Sequence, residues 1–513
     1  MNRRLQVNVV ILALLVGIVG GRMADNILRA DAYSYFDTLV DVRSELVRHY
    51  VEEPEEDEML KGAIKGMVEA LNDPFTDYLA PEDLEQFDRQ TRATFSGIGA
   101  EISAQDGQIM IVSPLEDSPA FEAGIMAGDI ILEINGESTE GLSTQDAVQK
   151  ITGPRGTEVT LKVRHPDGEE AEITIVRQQI DVQTVRGFRR DAENHWNYLL
   201  DPEAGVGYVR VSQFASPTTD ALKEAVKQAQ DQGMKGLILD LRFNPGGLLD
   251  QAVAMSDMFL SEGTILSTRG RNSPHRAWEA EPGNGLTDFP MIILVNEFSA
   301  SASEIVAGAL RDNNRATVLG TRSFGKGSVQ QVMKLESGAG ALKVTTAYYY
   351  LPSGRNLHRR EGATEWGVDP NDGFYVPMSN DQIRKMTELR RDSDIIRNRD
   401  GEEAERITPD LIEDELSDPQ LAAALQAMLG KFETGEFPRV GESEATLTAH
   451  VNERSTMERR REVLSESLEQ VDESLRQLDE SIAEINGDNG DNDAEAEVEP
   501  EEEVETEAEP ATP

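Results

Sequence analysis

Between residues 206 and 375, short apolar runs alternate with amphipathic stretches, and this order constrains the chain more than any other feature. Residues 206–211, 236–241 and 291–295 are nearly unbroken in aliphatic side chains, which suits strands buried on both faces. Residues 219–230, 248–260 and 303–312 instead repeat apolar positions at helical spacing. Strand followed by helix, repeated, predicts an α/β layer built on a largely parallel sheet. In such sheets the functional loops gather at strand ends.

The rest of the chain differs from this core. At 513 residues the protein is too long for one core and suggests about three domains. Residues 32–92 read as helices, with Phe36, Leu39, Val40, Val42, Leu46 and Val47 near helical spacing and Pro54 and Pro74 as breaks. From 94 to 179 the period shortens to β-rich runs between Gly, Pro and Asp turns, a compact and mostly β module. The α/β core is expected over 190–378 and a helical and loop extension over 379–440. In 441–486, Leu464, Leu468, Val471, Leu475, Leu478, Ile482 and Ile485 alternate spacings of four and three, a coiled-coil seam or one amphipathic helix docked on its own protein. Residues 487–513 hold twelve Asp or Glu and no Lys or Arg, an acidic tail expected to be disordered.

Composition excludes several classes. A net charge of −46 argues against nucleic acid, whose phosphates need clustered Lys and Arg. The absence of cysteine removes disulfides, thiolate metal sites and cysteine nucleophiles together. Arg3 and Arg4 precede an uncharged run from 9 to 21, so residues 1–25 read as a cleaved secretory signal or a retained membrane anchor. Export to the periplasm or another extracytoplasmic space follows from either.

The chemistry concentrates in two segments. In MIILVNEFSASASEIVAGAL at 291–310, a buried strand runs into a helix with serines at the turn. A serine there sits at the positive end of a helix dipole beside backbone N–H groups that can hold an oxyanion. Ser301 with Glu304 three residues on also fits a plain capping box. Lys326, within SFGKGSVQ at 323–330, has glycine on both sides inside an apolar region. If enclosed, it would lose hydration and serve as a base; if exposed, it is a surface lysine or a phosphate contact. None of the six histidines occupies a recognisable triad motif.

Six separated motifs, in order, resemble the carboxyl-terminal processing peptidases, or tail-specific proteases: DPFTDYL at 73–79, SPAFEAGIMAGD at 118–129, DLRFNPGGLL at 240–249, SASASEIVAGAL at 299–310, GKGSVQ at 325–330 and TTAYYYLPSGR at 345–355. The resemblance implies a helical N-terminal region, an inserted PDZ domain and an α/β peptidase core using a Ser–Lys dyad. It carries the nucleophile to Ser301, the base to Lys326, the residue that holds the lysine to Gln330, and the oxyanion donors to the N–H groups of Ala302 and Gly246. Ser299 and Ser303 are then decoys. No metal or organic cofactor is called for.

The β module would be the PDZ domain. Its Gly97-Ile98-Gly99-Ala100 loop would offer N–H groups to a terminal carboxylate while the peptide adds as a strand; a simple hairpin turn is the plainer reading. The implied substrates are proteins with exposed apolar C-termini. Capture of a peptide is expected to move the PDZ and complete the Ser301–Lys326–Gln330 geometry, with Arg155 either linking the domains or lying on the surface. The seam could join two copies or recruit an adaptor. A non-catalytic PDZ adaptor and a hydrolase of non-protein acyl compounds are the rival readings.

Overall fold

The computed structural model describes residues 36–443, except 106, 117, 192, 284–285, 361–362 and 397–406, together with most of 456–478. The expected signal or anchor, the acidic tail, and Ile482 and Ile485 of the seam lie outside the described residues.

The central sheet is parallel where the apolar runs predicted it. Val206–Val211, Gly236–Asp240, Met291–Val295 and Thr317–Gly320 pair side by side in that order, with Leu237 opposite Met291 and Ile292 opposite Thr317. Two short antiparallel strands, Val185–Arg186 and Leu199–Asp201, flank the first. Alternation along the strands divides the core. Leu237, Leu239, Met291, Ile293 and Val295 join the cluster containing Leu222, Val226, Phe259, Ile305 and Leu310 of helices Thr218–Asp231, Leu249–Phe259 and Ala302–Asp312. Ile238, Ile292 and Leu294 face the other way, onto Leu421, Leu425 and Met428 of helix Pro419–Thr434. Both faces are therefore dry, and the second is covered by a segment beyond residue 378.

A buried ionic cluster fastens that extension to the sheet. The fully buried Arg242 bridges Asp240, 2.7 Å away, and Asp418, the N-cap of helix Pro419–Thr434, also at 2.7 Å. Arg390 joins the same two carboxylates at 2.7 and 3.1 Å.

The β module is an insertion with a neck. Thr94–Gly97 pairs antiparallel with Gln178–Asp181, so the chain enters and leaves through one two-stranded ribbon. Beyond it a six-stranded sheet closes over Ile109, Ile111, Ile131, Leu161 and Val163. Helix Thr144–Ile151, capped by Ser143, packs on the same core through Ala147 and Ile151. The N-terminal helices Asp37–His49 and Glu56–Glu69 bury no residue, and Leu39, Val40, Leu46 and Val47 are exposed.

Candidate active site

The strand Met291–Val295 leads into a turn that ends at Ser301, whose φ of +56° and ψ of −112° are unusual for a residue with a side chain. Helix Ala302–Asp312 starts immediately afterwards, so Ser301 stands on a strained corner at the helix mouth. The neighbouring serines are committed elsewhere. Ser299 Oγ donates to the Leu241 carbonyl at 2.9 Å, and Ser303 Oγ donates to the Asn244 carbonyl at 3.0 Å. Both hold the turn against the 240–247 loop.

That loop interlocks with the corner. The Ala300 N–H donates to Asn244 O at 3.0 Å, and Asn244 Nδ2 donates to Val211 O at 2.8 Å. Gly246 lies directly over Ser301, and a Cβ there would stand 2.7 Å from the Ser301 Cβ and 2.9 Å from the Ala302 nitrogen. Its φ of +98° and this closeness both require glycine. The Gly246 N–H, expected from the sequence as an oxyanion donor, is instead committed to Asn244 Oδ1 at 2.8 Å. Among the described residues, nothing accepts from the N–H groups of Gly247 or Ala302.

Glu304 joins the serine to the lysine segment. It is fully buried, and its Oε2 accepts the backbone N–H of Ser301 at 2.7 Å and of Lys326 at 2.8 Å. Oε1 accepts Ser323 Oγ at 2.6 Å and the Gly325 N–H at 2.7 Å. Burial pushes its carboxyl above the usual value, and these four donors pull it back. A carboxylate offers four lone-pair sites and no donor, which matches four donors and nothing else.

Lys326 is half-buried, and burial lowers its pKa. Lys343 adds to that lowering, while Glu304 opposes it. The Lys326 Nζ rests 5.1 Å from the centre of the Phe75 ring, and among the described residues it donates to no oxygen. Ser301 and Lys326 are thus joined through their backbones but not by a direct side-chain hydrogen bond. Gln330 is turned elsewhere, its Nε2 donating to Ser328 Oγ at 2.9 Å and Thr345 Oγ1 at 3.1 Å. Tyr349 is buried near Ser301, and that burial pushes its phenol up. Among the described residues no cluster of His, Asp or Glu could hold a metal.

In the β module, Gly99 has a φ of +78° and its backbone is pressed against Ser118, which leaves no room for a side chain. The Ile98 carbonyl accepts the Ala120 N–H, and the Gly99 carbonyl accepts the Leu115 N–H and Ser118 Oγ, each at 2.8 Å. With both carbonyls turned inward, trans peptide geometry turns the N–H groups of Gly99 and Ala100 the other way. Gly97 sits at the end of the neck strand, against the Phe95 ring, and Ile98 is buried. The module meets the rest of the chain through Glu116–Arg190 at 2.9 Å and Glu101–Arg391 at 3.0 Å. Arg155 is exposed and makes no ion pair among the described residues, so the linking arginines are Arg190 and Arg391. Sequence reasoning also passed over Glu304 as more than a cap, and over Phe75.

Comparison with known proteins gives the class first. Residues 205–372 match Peptidase family S41, residues 110–165 a PDZ domain, and residues 30–83 the Activating protease CtpB N-terminal domain. The chain is a serine protease with an S41 peptidase fold, a PDZ domain and a helical N-terminal region. The carboxy-terminal-processing protease of Bartonella bacilliformis is 35% identical over 425 residues, covering 80% of this chain and 91% of that one. The carboxy-terminal processing protease CtpA of Bacillus subtilis is 34% identical, covering 64% and 67%. The solved photosystem II D1 C-terminal processing protease is 29% identical, covering 65% and 85%, with a TM-score of 0.38. The chain belongs to the carboxy-terminal-processing protease family.

Proposed function

We propose that this protease cleaves peptide bonds with Ser301 as nucleophile and Lys326 as general base, on proteins selected by their apolar C-termini. The observation that carries the reading is the shared Glu304 oxygen, which fixes a strained serine and a half-buried lysine segment at one point. The neutral Lys326 amine takes the Ser301 proton as Oγ attacks the carbonyl carbon. The N–H groups of Ala302 and Gly247 receive the oxyanion, with Gly246 leaving room for it. The C–N bond then breaks, and the Lys326 ammonium gives its proton to the departing amine. Water attacks the resulting ester, passing a proton to Lys326, and Ser301 recovers that proton as the ester bond breaks.

Selection falls to the PDZ domain, where the outward N–H groups of Gly99 and Ala100 take the terminal carboxylate and the peptide adds as a strand. Glu101 is the second residue of strand Ala100–Gln105 beside that loop and pairs with Arg391, so peptide binding bears on a contact with the rest of the chain. Capture shifts the domain and brings Lys326 and Gln330 into register with Ser301. Residues 1–25 direct export and act either as a signal or as an anchor.

A second copy of the chain covers the C-terminal seam, where Leu464, Leu468, Val471, Leu475 and Leu478 are all more than half exposed. Ser467 and Ser474 flank one side of the seam and Ser465 and Asp472 the other, which favours a parallel pair that keeps like acids apart.

The test is cleavage of an unfolded protein bearing an apolar C-terminus by wild type, Ser301→Ala and Lys326→Ala. Both variants should be inactive, and undiminished cleavage by either would remove the mechanism.

A further inference from the structure

The DPFTDYL turn at 73–79 has no part in the steps above, yet it reaches the base. Asp73 accepts the Phe75 N–H at 3.1 Å and Thr76 Oγ1 at 2.5 Å, while Thr76 Oγ1 in turn accepts the Thr345 N–H at 3.0 Å. Asp77–Leu79 then pairs antiparallel with strand Ala341–Tyr350, placing Asp77 opposite Lys343. Two anchors therefore deliver the Phe75 ring to its place beneath the Lys326 Nζ. His358 meets the ring edge-on at 6.2 Å and limits its movement.

We propose that Phe75 is a positioning residue for the base: its ring holds Lys326 in the charged form and away from Ser301. This rests on the reading of Lys326 as the base. The face of an aromatic ring attracts an ammonium and has no such attraction for a neutral amine, so the contact discriminates between the two protonation states. Every other charge facing the site acts independently of the ring. Lys343, on strand Ala341–Tyr350, repels the ammonium, and Glu304, on the nucleophile helix, attracts it. Asp73 and His358 lie around the ring, and Arg360 lies over Tyr348 beyond His358. To accept a proton, Lys326 must leave the ring and lose this stabilisation. The turn follows helix Glu56–Glu69 in sequence, which ties the ring to the N-terminal helices.

The experiment is the pH profile of kcat/KM on a fluorogenic peptide with an apolar C-terminus, for wild type, Phe75→Leu, Phe75→Tyr and Lys326→Ala. On the rising limb, Phe75→Leu should be roughly two- to five-fold faster than wild type and should converge with it on the alkaline plateau. Phe75→Tyr, which keeps a ring, should follow wild type. If Phe75→Leu does not fold, Phe75→Trp carries the test with the opposite sign, being slower on the limb. A limb that does not move, or an equal loss at every pH, overturns the role of Phe75. In that case an inactive Lys326→Ala leaves the dyad standing, whereas an active one overturns both.

Discussion

Ser301 and Lys326 donate their backbone N–H groups to one oxygen atom, Glu304 Oε2, at 2.7 and 2.8 Å. The corner carrying Ser301 and the loop carrying Lys326 are therefore a single rigid unit. What remains adjustable is the lysine side chain, which rests on Phe75.

Glu304→Gln should damage this unit without changing its size. An amide offers one acceptor oxygen and turns an NH2 group toward donors that need an acceptor. Two buried hydrogen bonds to a charged group are lost, and a stability loss of about 3 kcal/mol is expected. Urea unfolding measures it, and kcat should fall more than KM rises.

Lys343 gives a test of how Lys326 is tuned. Its positive charge disfavours a second ammonium, so removing it raises the Lys326 pKa. Since the proposed mechanism needs the neutral amine, Lys343→Met should move the rising limb of kcat/KM to higher pH, the opposite of Phe75→Leu. A pH–rate profile decides the sign.

The buried Arg242 cluster predicts an acid dependence of stability. Burial raises the carboxyls of Asp240 and Asp418, but Arg242 and Arg390 outweigh it and hold both below their ordinary 3.8. A depressed carboxyl contributes stability above its unfolded value and loses it as the pH falls. Urea midpoints should accordingly be steady from neutral pH down to about 4 and drop below that. Arg242→Ala leaves two buried carboxylates with Arg390 as their one cationic partner among the described residues and should cost about 3–5 kcal/mol at pH 7.

Much of this was legible because periodicity is local. The strands at 206–211 and 291–295 and the helix after Ser301 fall where spacing put them, since a run buried on both faces reads the same in sequence as in the fold. What could not be read were contacts across long separations. Lys326 meets Phe75 and Arg242 meets Asp418 with no local pattern announcing either. Gln330 was expected at the lysine and instead faces Ser328 and Thr345, because strand Ser328–Lys334 fixes its direction by pairing with Ala341–Tyr350. Arg155 stands on an exposed turn, and charge alone could not distinguish it from Arg190.

The PDZ loop should fail with any side chain at position 99. Gly99→Val forces a strained φ and a clash with Ser118. Binding of a labelled peptide with an apolar C-terminus, followed by fluorescence anisotropy, should be lost. A C-terminally amidated peptide should bind the wild type poorly, because it lacks the carboxylate that the Gly99 and Ala100 N–H groups are proposed to take.

Self-association is read from mass in solution. Truncation after Gly441, and separately Leu468→Asp with Leu475→Asp, should reduce the species measured by light scattering to a smaller one. An unchanged mass in both would assign the seam to another occupant.

The most direct measurement is to trap the covalent intermediate. Substrate is mixed with enzyme, quenched in acid within a turnover, and the acylated residue is mapped by mass spectrometry. The Ser301–Lys326 mechanism requires an ester on Ser301 in the wild type and none in Ser301→Ala or Lys326→Ala. An ester on Ser299 or Ser303, or one formed at full rate without Lys326, would contradict it.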